Sequence, residues 1–526
     1  MNLELSQIDI WVFIFYCLLV IGIGYFAARE KKGHERTTTE YFLAGKTLPW
    51  WAVGAALIAA NISAEQFIGM SGSGYAIGIA ISSYEWMSAL TLVIVGKYFL
   101  PIFLKNNIMT MPQFLEKRFD NRVKTSLAIF WIFLYVFINL TSVLYLGALF
   151  LETVVGVELI YGILILALFT AIYSIYGGLM SVAWTDVIHV FFLVLGGIIT
   201  TIIALSHLGE GSMMVGFNEL YTSVPEKFDL ILSRTHEHWD KLPGISVLIG
   251  GMWLGNLSYW GFSQYVTQKA FAAKNLKEAQ KGVIFAGYLK LFMPFIVVLP
   301  GMIAFSLNPE IDPPDKAYPW LLSTFVPVGL KGITIAALFA AIVSSLSSMT
   351  NSTATIFTMD IYKQFFKKDK KFTEKQLVKV GRTTSIVALG LATFIAKPLL
   401  GNLDQVFQFI QEYYAYLSPL IVIIFGAGFF WKKATSNAVL WAAIATLPIS
   451  VFHKMLWPDM PFMNREVIIF FILLVVIVVI SYLERSGKKD NNLIEMEKGM
   501  FHTSLSFNVG AIGISLILTA LYIIFW

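Results

Sequence analysis

The sequence predicts an all-α, polytopic membrane protein with fourteen transmembrane helices. Three observations lead there. Apolar residues make up 57% of the 526-residue chain and charged residues only 13%, whereas soluble domains carry about 25% charged residues. Apolar runs near twenty residues recur along the whole length, and about twenty such residues let a helix cross the hydrocarbon core. Lysine and arginine collect in alternate loops, as the positive-inside rule expects of cytoplasmic segments.

The expected spans are 10–28, 49–70, 79–104, 125–150, 158–178, 182–205, 244–268, 282–308, 330–359, 383–400, 403–430, 437–456, 466–483 and 503–526. With the N-terminus outside, loops 29–48, 105–124, 269–281, 361–382, 431–433 and 484–499 are cytoplasmic and hold 28 of the 38 Lys and Arg. One helix more or fewer would scramble that alternation. The expectation is a multi-pass protein of the inner (plasma) membrane with both termini extracytoplasmic.

The net charge of +5 therefore reflects orientation and is no nucleic-acid footprint. The densest basic run, "KQFFKKDKKFTEKQLVKVGR", is read as topology plus attraction to anionic lipid of the bilayer. Cys17 is the only cysteine, so no disulfide framework or cysteine metal site is expected. "MNLELSQID" lacks the basic start of a cleaved signal peptide. Sequon matches at Asn61, Asn139, Asn256 and Asn351 all fall inside spans. His236 and His238 in "THEHWD" stand in an outer loop without further ligands. No nucleophile elbow, P-loop or metalloprotease pattern occurs, and "GSGYAIG" has one residue too many for the dinucleotide fingerprint. Nothing argues for an enzyme.

Polar residues inside spans cost on the order of 2.5–3.5 kcal/mol for a charge at mid-helix and mark pathways. Taken in order, the second span carries "AANISAEQFIGMSGSGYAIG" and the third Tyr84 and Glu85. The fourth has Asn139, Thr141 and Ser142, and the sixth Thr185 and Asp186. The seventh has "GNLSYWGFSQYVTQ", the eighth Lys290, the ninth "VSSLSSMTNSTAT" and the eleventh "QVFQFIQEYY". The twelfth and thirteenth lack a comparable cluster, which places function in the second to eleventh spans.

The clusters of the second and seventh spans lie five spans apart, and five crossings reverse direction. Interrupted first helices in two inverted halves point to a midplane substrate site. Small and polar residues also serve close helix packing, and "GMSGSG" suits that role equally. Packing does not account for Gln66, Glu85, Lys290 and Gln411 together. Ser344 and Ser345 offer neutral oxygens of the kind that hold a hard cation, although membrane serines often bond back to the preceding turn.

At these residues the chain resembles the sodium/solute symporter family, in its sodium–glucose cotransporter branch. The likeness runs from the first span to the thirteenth and rests on "YFLAGKTLPWWAVGAALIAANISAEQFIGMSGSGYAIG", "YSIYGGLMSVAWTDVIHVFFLVLGG" and "AAIVSSLSSMTNSTATIFTMDIYK". It implies a LeuT-like core of two inverted five-helix repeats, 49–205 and 244–430. Before them stand a first helix and basic inner loop (1–48), between them an extracellular loop (206–243), and after them three helices (431–526). It also implies that Gln66, Glu85, Ser88, Asn256, Lys290 and Gln411 contact a sugar. Tyr259 matches an aromatic inner gate, with Asn61, Tyr84 and Asn139 in support. Ala59, Ile62, Ala341, Ser344 and Ser345 match a sodium site, the first three through carbonyls, and Asp186 a sodium exit path. Ser258 and Ser263 depart from the larger residues of galactose-transporting members, and the outer loop 309–329 is shorter.

The function so implied is sodium-coupled symport of a monosaccharide of the glucose/galactose type. Rival readings are the same fold carrying an inositol, sialic acid or amino acid, a sodium channel, and a solute sensor. A sensor would need an output domain, and the longest inner loop is about 22 residues, too short to form one.

Overall fold

The computed structural model describes residues 6–27, 37–365, 372–401, 403, 405–484 and 496–526, without the side chains of residues 25, 27 and 173–178. Much of the expected basic inner loops (29–36, 366–371 and 485–495) lies outside the described residues, as does the stretch 1–5. The described chain is helical with one isolated bridge, Leu48 to Ala273.

The first helix, α1, is Gln7–Ala27. The second span is two helices, α2 Trp50–Asn61 and α3 Glu65–Ala76, bent by 60° at the break between them. α4 (Ile79–Lys105) and α5 (Asn121–Val155) complete the next hairpin, α5 starting under an Asp120 side chain that accepts from the Arg122 and Val123 amides. α6 covers Leu159–Leu208 as one unbroken helical run. Leu166 and Ile342 both approach Gly147 within 3 Å of where a Cβ would sit, and Asp186 is bonded to Ser344. Residues twenty apart on a straight helix are about 30 Å apart, so both cannot face one turn of the same partner. The run is therefore bent between its apolar pieces, Leu159–Ile172 and Leu179–Leu208.

The seventh expected span is broken more severely. Ile245–Ile249 and α7 (Gly251–Asn256) lead into a π-helical turn, Leu257–Gly261, and α8 (Gln264–Phe271) follows an extended Ser263. α9 (Leu276–Leu307), α10 (Leu330–Phe365) and α11 (Glu374–Leu400) are long single helices. α12 (Val406–Ala415) and α13 (Ser418–Phe430) form a second bent pair, at 43°. α14 (Ser436–Leu456), α15 (Phe462–Glu484) and α16 (Leu505–Ile524) close the chain.

Among the described residues ten helices are long and apolar enough to cross a bilayer, and twelve if each bent pair is one span. That falls short of the expected fourteen by length and hydropathy. Helix occupies the other two expected places, but Leu159–Ile172 is short and the pieces between Ile245 and Phe271 are shorter still.

Two distant carboxylates cap helices that the local sequence leaves open. Asp9 accepts from Gly329 and Gly332 at the start of α10, both at 2.7 Å. Asp315 accepts from the Val406 amide at the start of α12, at 3.1 Å. Orphan first-turn donors otherwise cost stability.

The glycine-rich half of the opening stretch turns out to be a packing face. A Cβ on Gly301 would lie 2.0 Å from the Ser71 carbonyl, and one on Gly74 2.6 Å from the Val298 carbonyl. α3 and α9 therefore meet backbone to backbone, as small residues permit in membranes. Gly78 has a positive φ of 101° and lies against the Lys227 backbone. The packing role thus belongs to Gly72–Gly78, and the polar role to what precedes it.

Candidate functional site

The break after Asn61 begins at Ile62, which is extended at φ −83°, ψ 108°. The Ser63 amide, which would have served the Ala59 carbonyl in a continuing helix, instead donates to Gln66 Oε1 at 3.1 Å. The Ala59 carbonyl accepts from the Ser345 hydroxyl of α10 at 3.1 Å. A sequence-local substitution at the kink thus frees one carbonyl and one helix answers another across the core.

The two broken helices meet at their breaks. Asn61 Nδ2 donates to the Tyr259 hydroxyl at 2.9 Å. Lys290 Nζ, on α9, reaches both Asn61 Oδ1 and Glu85 Oε2 and lies 5.0 Å from the Trp260 ring centre. Lys290 and Glu85 are both buried, and a buried pair persists only when its remaining donors and acceptors are met. Asn61 supplies that third contact.

Around this core opens one cavity with about 710 Å³ of empty space including its mouth. Of the expected sugar contacts, Gln66, Glu85, Asn256, Lys290 and Gln411 line it, as do Asn61, Tyr84 and Tyr259. Ser88 does not. Its hydroxyl donates back to the Glu85 carbonyl at 2.6 Å, within its own helix. Asn139 also stands behind the wall, accepting from the Tyr414 hydroxyl at 2.6 Å.

Four polar atoms of the lining, Glu65 Oε1, Tyr84 Oη, Asn256 Nδ2 and Glu466 Oε1, are buried and without a hydrogen-bond partner among the described residues. Leaving such an atom unmet costs roughly 1–3 kcal/mol, and here all four belong to residues that line one space. That arrangement suits a cargo with several hydroxyls, each both donor and acceptor.

One side of the cavity ends in aromatic rings. Tyr259 stands edge-on to Trp260, Tyr265 and Tyr414. Behind them Tyr135 contacts Ser263 at 3.0 Å and accepts from the Gln264 amide at 2.7 Å. Ser263, expected as a departure from the family pattern, thus binds the second break to α5.

At the cation candidates, Ser344 and Ser345 are fully buried and face different neighbours. Ser345 turns to Ala59, while Ser344 donates to Asp186 Oδ1. Asp186 also pairs with Lys269 at 2.8 Å, both fully buried. Ala341 and Ile62 are buried on the same two helices, α10 and the α2 break. Asp186 is therefore tied to Ser344 itself, and its carboxylate is balanced by a fixed cation.

The expectation that function stops at the eleventh span needs correction. Phe462, Met463 and Glu466 of α15 line the cavity. Glu466 sits in "MNREVII", just past the first turn of that helix, where an acid looks like a loop flank. Glu65 was visible in the opening stretch, but only the bend shows that it faces the same space.

The family profile described as "Sodium:solute symporter family" matches residues 41–446. The chain is 53% identical over the full length of both proteins to the sodium/glucose cotransporter of Vibrio parahaemolyticus. It is 33% identical to human sodium/myo-inositol cotransporter 2, over 85% of this chain and 70% of that one. Among solved structures, it superimposes on a Na⁺-coupled sialic acid symporter in a substrate-bound outward-open state with a TM-score of 0.78. That match has 23% identity and covers 91% of this chain and 98% of the other. It shows a shared fold.

Proposed function

The chain belongs to the sodium:solute symporter family, and from that premise we propose that it imports a monosaccharide of the glucose/galactose type together with sodium. It is a multi-pass membrane transporter with a LeuT-like fold, and sodium is its coupling ion. The observation that carries the sugar reading is the set of unmet polar atoms beside the Lys290–Glu85–Asn61 cluster in one cavity.

In this reading Gln66, Glu85, Asn256, Lys290 and Gln411 hold the ring hydroxyls, and Tyr259 and Trp260 cover the apolar face. A site built to bond hydroxyls discriminates strongly against analogues that lack one, because its own groups are then unpaired. Sodium sits between the α2 break and α10, held by Ala59, Ile62, Ala341, Ser344 and Ser345, and leaves past Asp186. Each ligand stabilises the same arrangement of the broken helices, so each strengthens the other's binding. The membrane potential adds about 2.3 kcal/mol per charge per 100 mV.

The two inverted units are 49–205 and 244–430, with both termini outside and the protein in the inner (plasma) membrane. The 28 basic residues on one side of the expected topology support that orientation. Uptake of labelled glucose, galactose, inositol and sialic acid into proteoliposomes, with and without a sodium gradient, tests the reading. Sodium-driven accumulation of a hexose is expected; sodium conduction without saturable uptake would overturn it.

A further inference from the structure

Gly251 and Gly255 lie one turn apart on α7, and Met463 and Glu466 one turn apart on α15. At the first pair the helices touch: a Cβ on Gly251 would stand 2.5 Å from the Met463 carbonyl. At the next turn they do not. A Cβ on Gly255 would meet nothing within 4 Å, and both Gly255 and Glu466 line the cavity. Beside Gly255 there is room for atoms that this chain does not supply.

Glu466 is 3% exposed, and its Oε1 has no hydrogen-bond partner among the described residues. Its neighbour Arg465 is turned away, donating to the Met460 carbonyl at 3.0 Å and facing Glu412 at 3.6 Å. Lys454 is likewise held by Glu412. Among the described residues the only cation lining the cavity, Lys290, is engaged by Glu85. Ser418, the hydroxyl that interacts with the Glu466 carboxyl, also donates to the Tyr414 carbonyl at 2.8 Å. A buried carboxyl oxygen with no donor of its own is costly unless a ligand provides one.

We propose that Glu466 is a specificity-determining residue that accepts a hydrogen bond from one hydroxyl of the cargo, in a subsite left open by Gly255. The subsite lies on a helix outside the two five-helix units, so the cargo is read by the C-terminal helices as well as by the repeats. Tyr84, whose hydroxyl is also without a hydrogen-bond partner among the described residues, lines the same cavity. The inference rests on the monosaccharide reading above.

The test is sodium-driven uptake of labelled hexose by proteoliposomes, with each monodeoxy-hexose as competitor. It compares wild type, Glu466→Gln, Glu466→Ala and Gly255→Ala. Glu466→Ala is expected to raise KM about tenfold, the size of a lost hydrogen bond, and Glu466→Gln, which keeps an accepting oxygen, to raise it less. Their half-saturating sodium concentration should stay within about twofold of wild type, a readout that a merely misfolded variant would not preserve. One deoxy-hexose that competes poorly in wild type should compete as well as the parent sugar in Glu466→Ala. Gly255→Ala should weaken uptake of the parent sugar while sparing that deoxy analogue. An unchanged deoxy profile in both Glu466 variants overturns the subsite and leaves the sugar reading standing. Absence of sodium-driven hexose uptake by the wild type overturns both.

Discussion

The Asn61 amide donates to the Tyr259 hydroxyl at 2.9 Å, joining the ends of two broken helices that are 198 residues apart in the chain. Neither residue has that partner in any continuous-helix reading of its own span. The bond closes one side of the cavity, because Tyr259 is both part of its lining and the first of the aromatic rings behind it.

Tyr259→Phe keeps the ring and removes this bond, worth about 1 kcal/mol. The form open on that side should then gain about fivefold in population. Thiol labelling of Ser263→Cys in a Cys17→Ser background reports it directly, since the chain has no other cysteine. Equal labelling with and without the Tyr259 hydroxyl would show that the bond is not a gate.

Ser345→Ala removes the hydroxyl that reaches the Ala59 carbonyl. The half-saturating sodium concentration for uptake should rise tenfold or more at unchanged protein abundance. An unchanged sodium dependence would place the ion elsewhere.

Lys290→Met leaves Glu85 buried without its cation. Breaking such a pair costs about 3–5 kcal/mol, so both abundance and transport should fall. The double variant Lys290→Met, Glu85→Gln should recover thermal stability but not uptake. Recovery of uptake would make the pair structural.

Gln66 has two tasks, capping the Ser63 amide and lining the cavity. Gln66→Glu retains the acceptor and Gln66→Ala loses it. Sodium binding should survive in the first and weaken in the second, while sugar uptake falls in both. Normal uptake by either variant removes Gln66 from the contacts.

Gly301→Ala tests the packing face. Its new carbon would fall 2.0 Å from the Ser71 carbonyl, backbone that cannot swing aside. Folded protein should be lost, and sugar and sodium binding should fall together. Selective loss of one ligand would indicate that the face contributes to the site.

The sequence by itself determined the membrane setting, the family, and two of the places where helices break. Composition, loop charge and a polar run inside apolar sequence are properties read along the chain, and they survive any folding detail. It also placed Gln66, Glu85, Asn256, Lys290 and Gln411 together by resemblance, and all five line one cavity. Only the tertiary structure decided which way each polar group faces. A 60° bend after Asn61 and π-helical turns at Glu65–Met70 and Leu257–Gly261 reset the angular phase of the residues beyond them in the same helix. Within their own helices these breaks bring Glu65 and Gln66 into the cavity lining and leave Gly74 to pack on α9, whereas Ser88, bonded back within its helix, and Glu466, at the edge of a plain apolar run, are placed by the packing of separate helices. Polarity is written residue by residue, whereas direction depends on the summed rotation of the backbone and on which neighbour arrives from elsewhere in the chain.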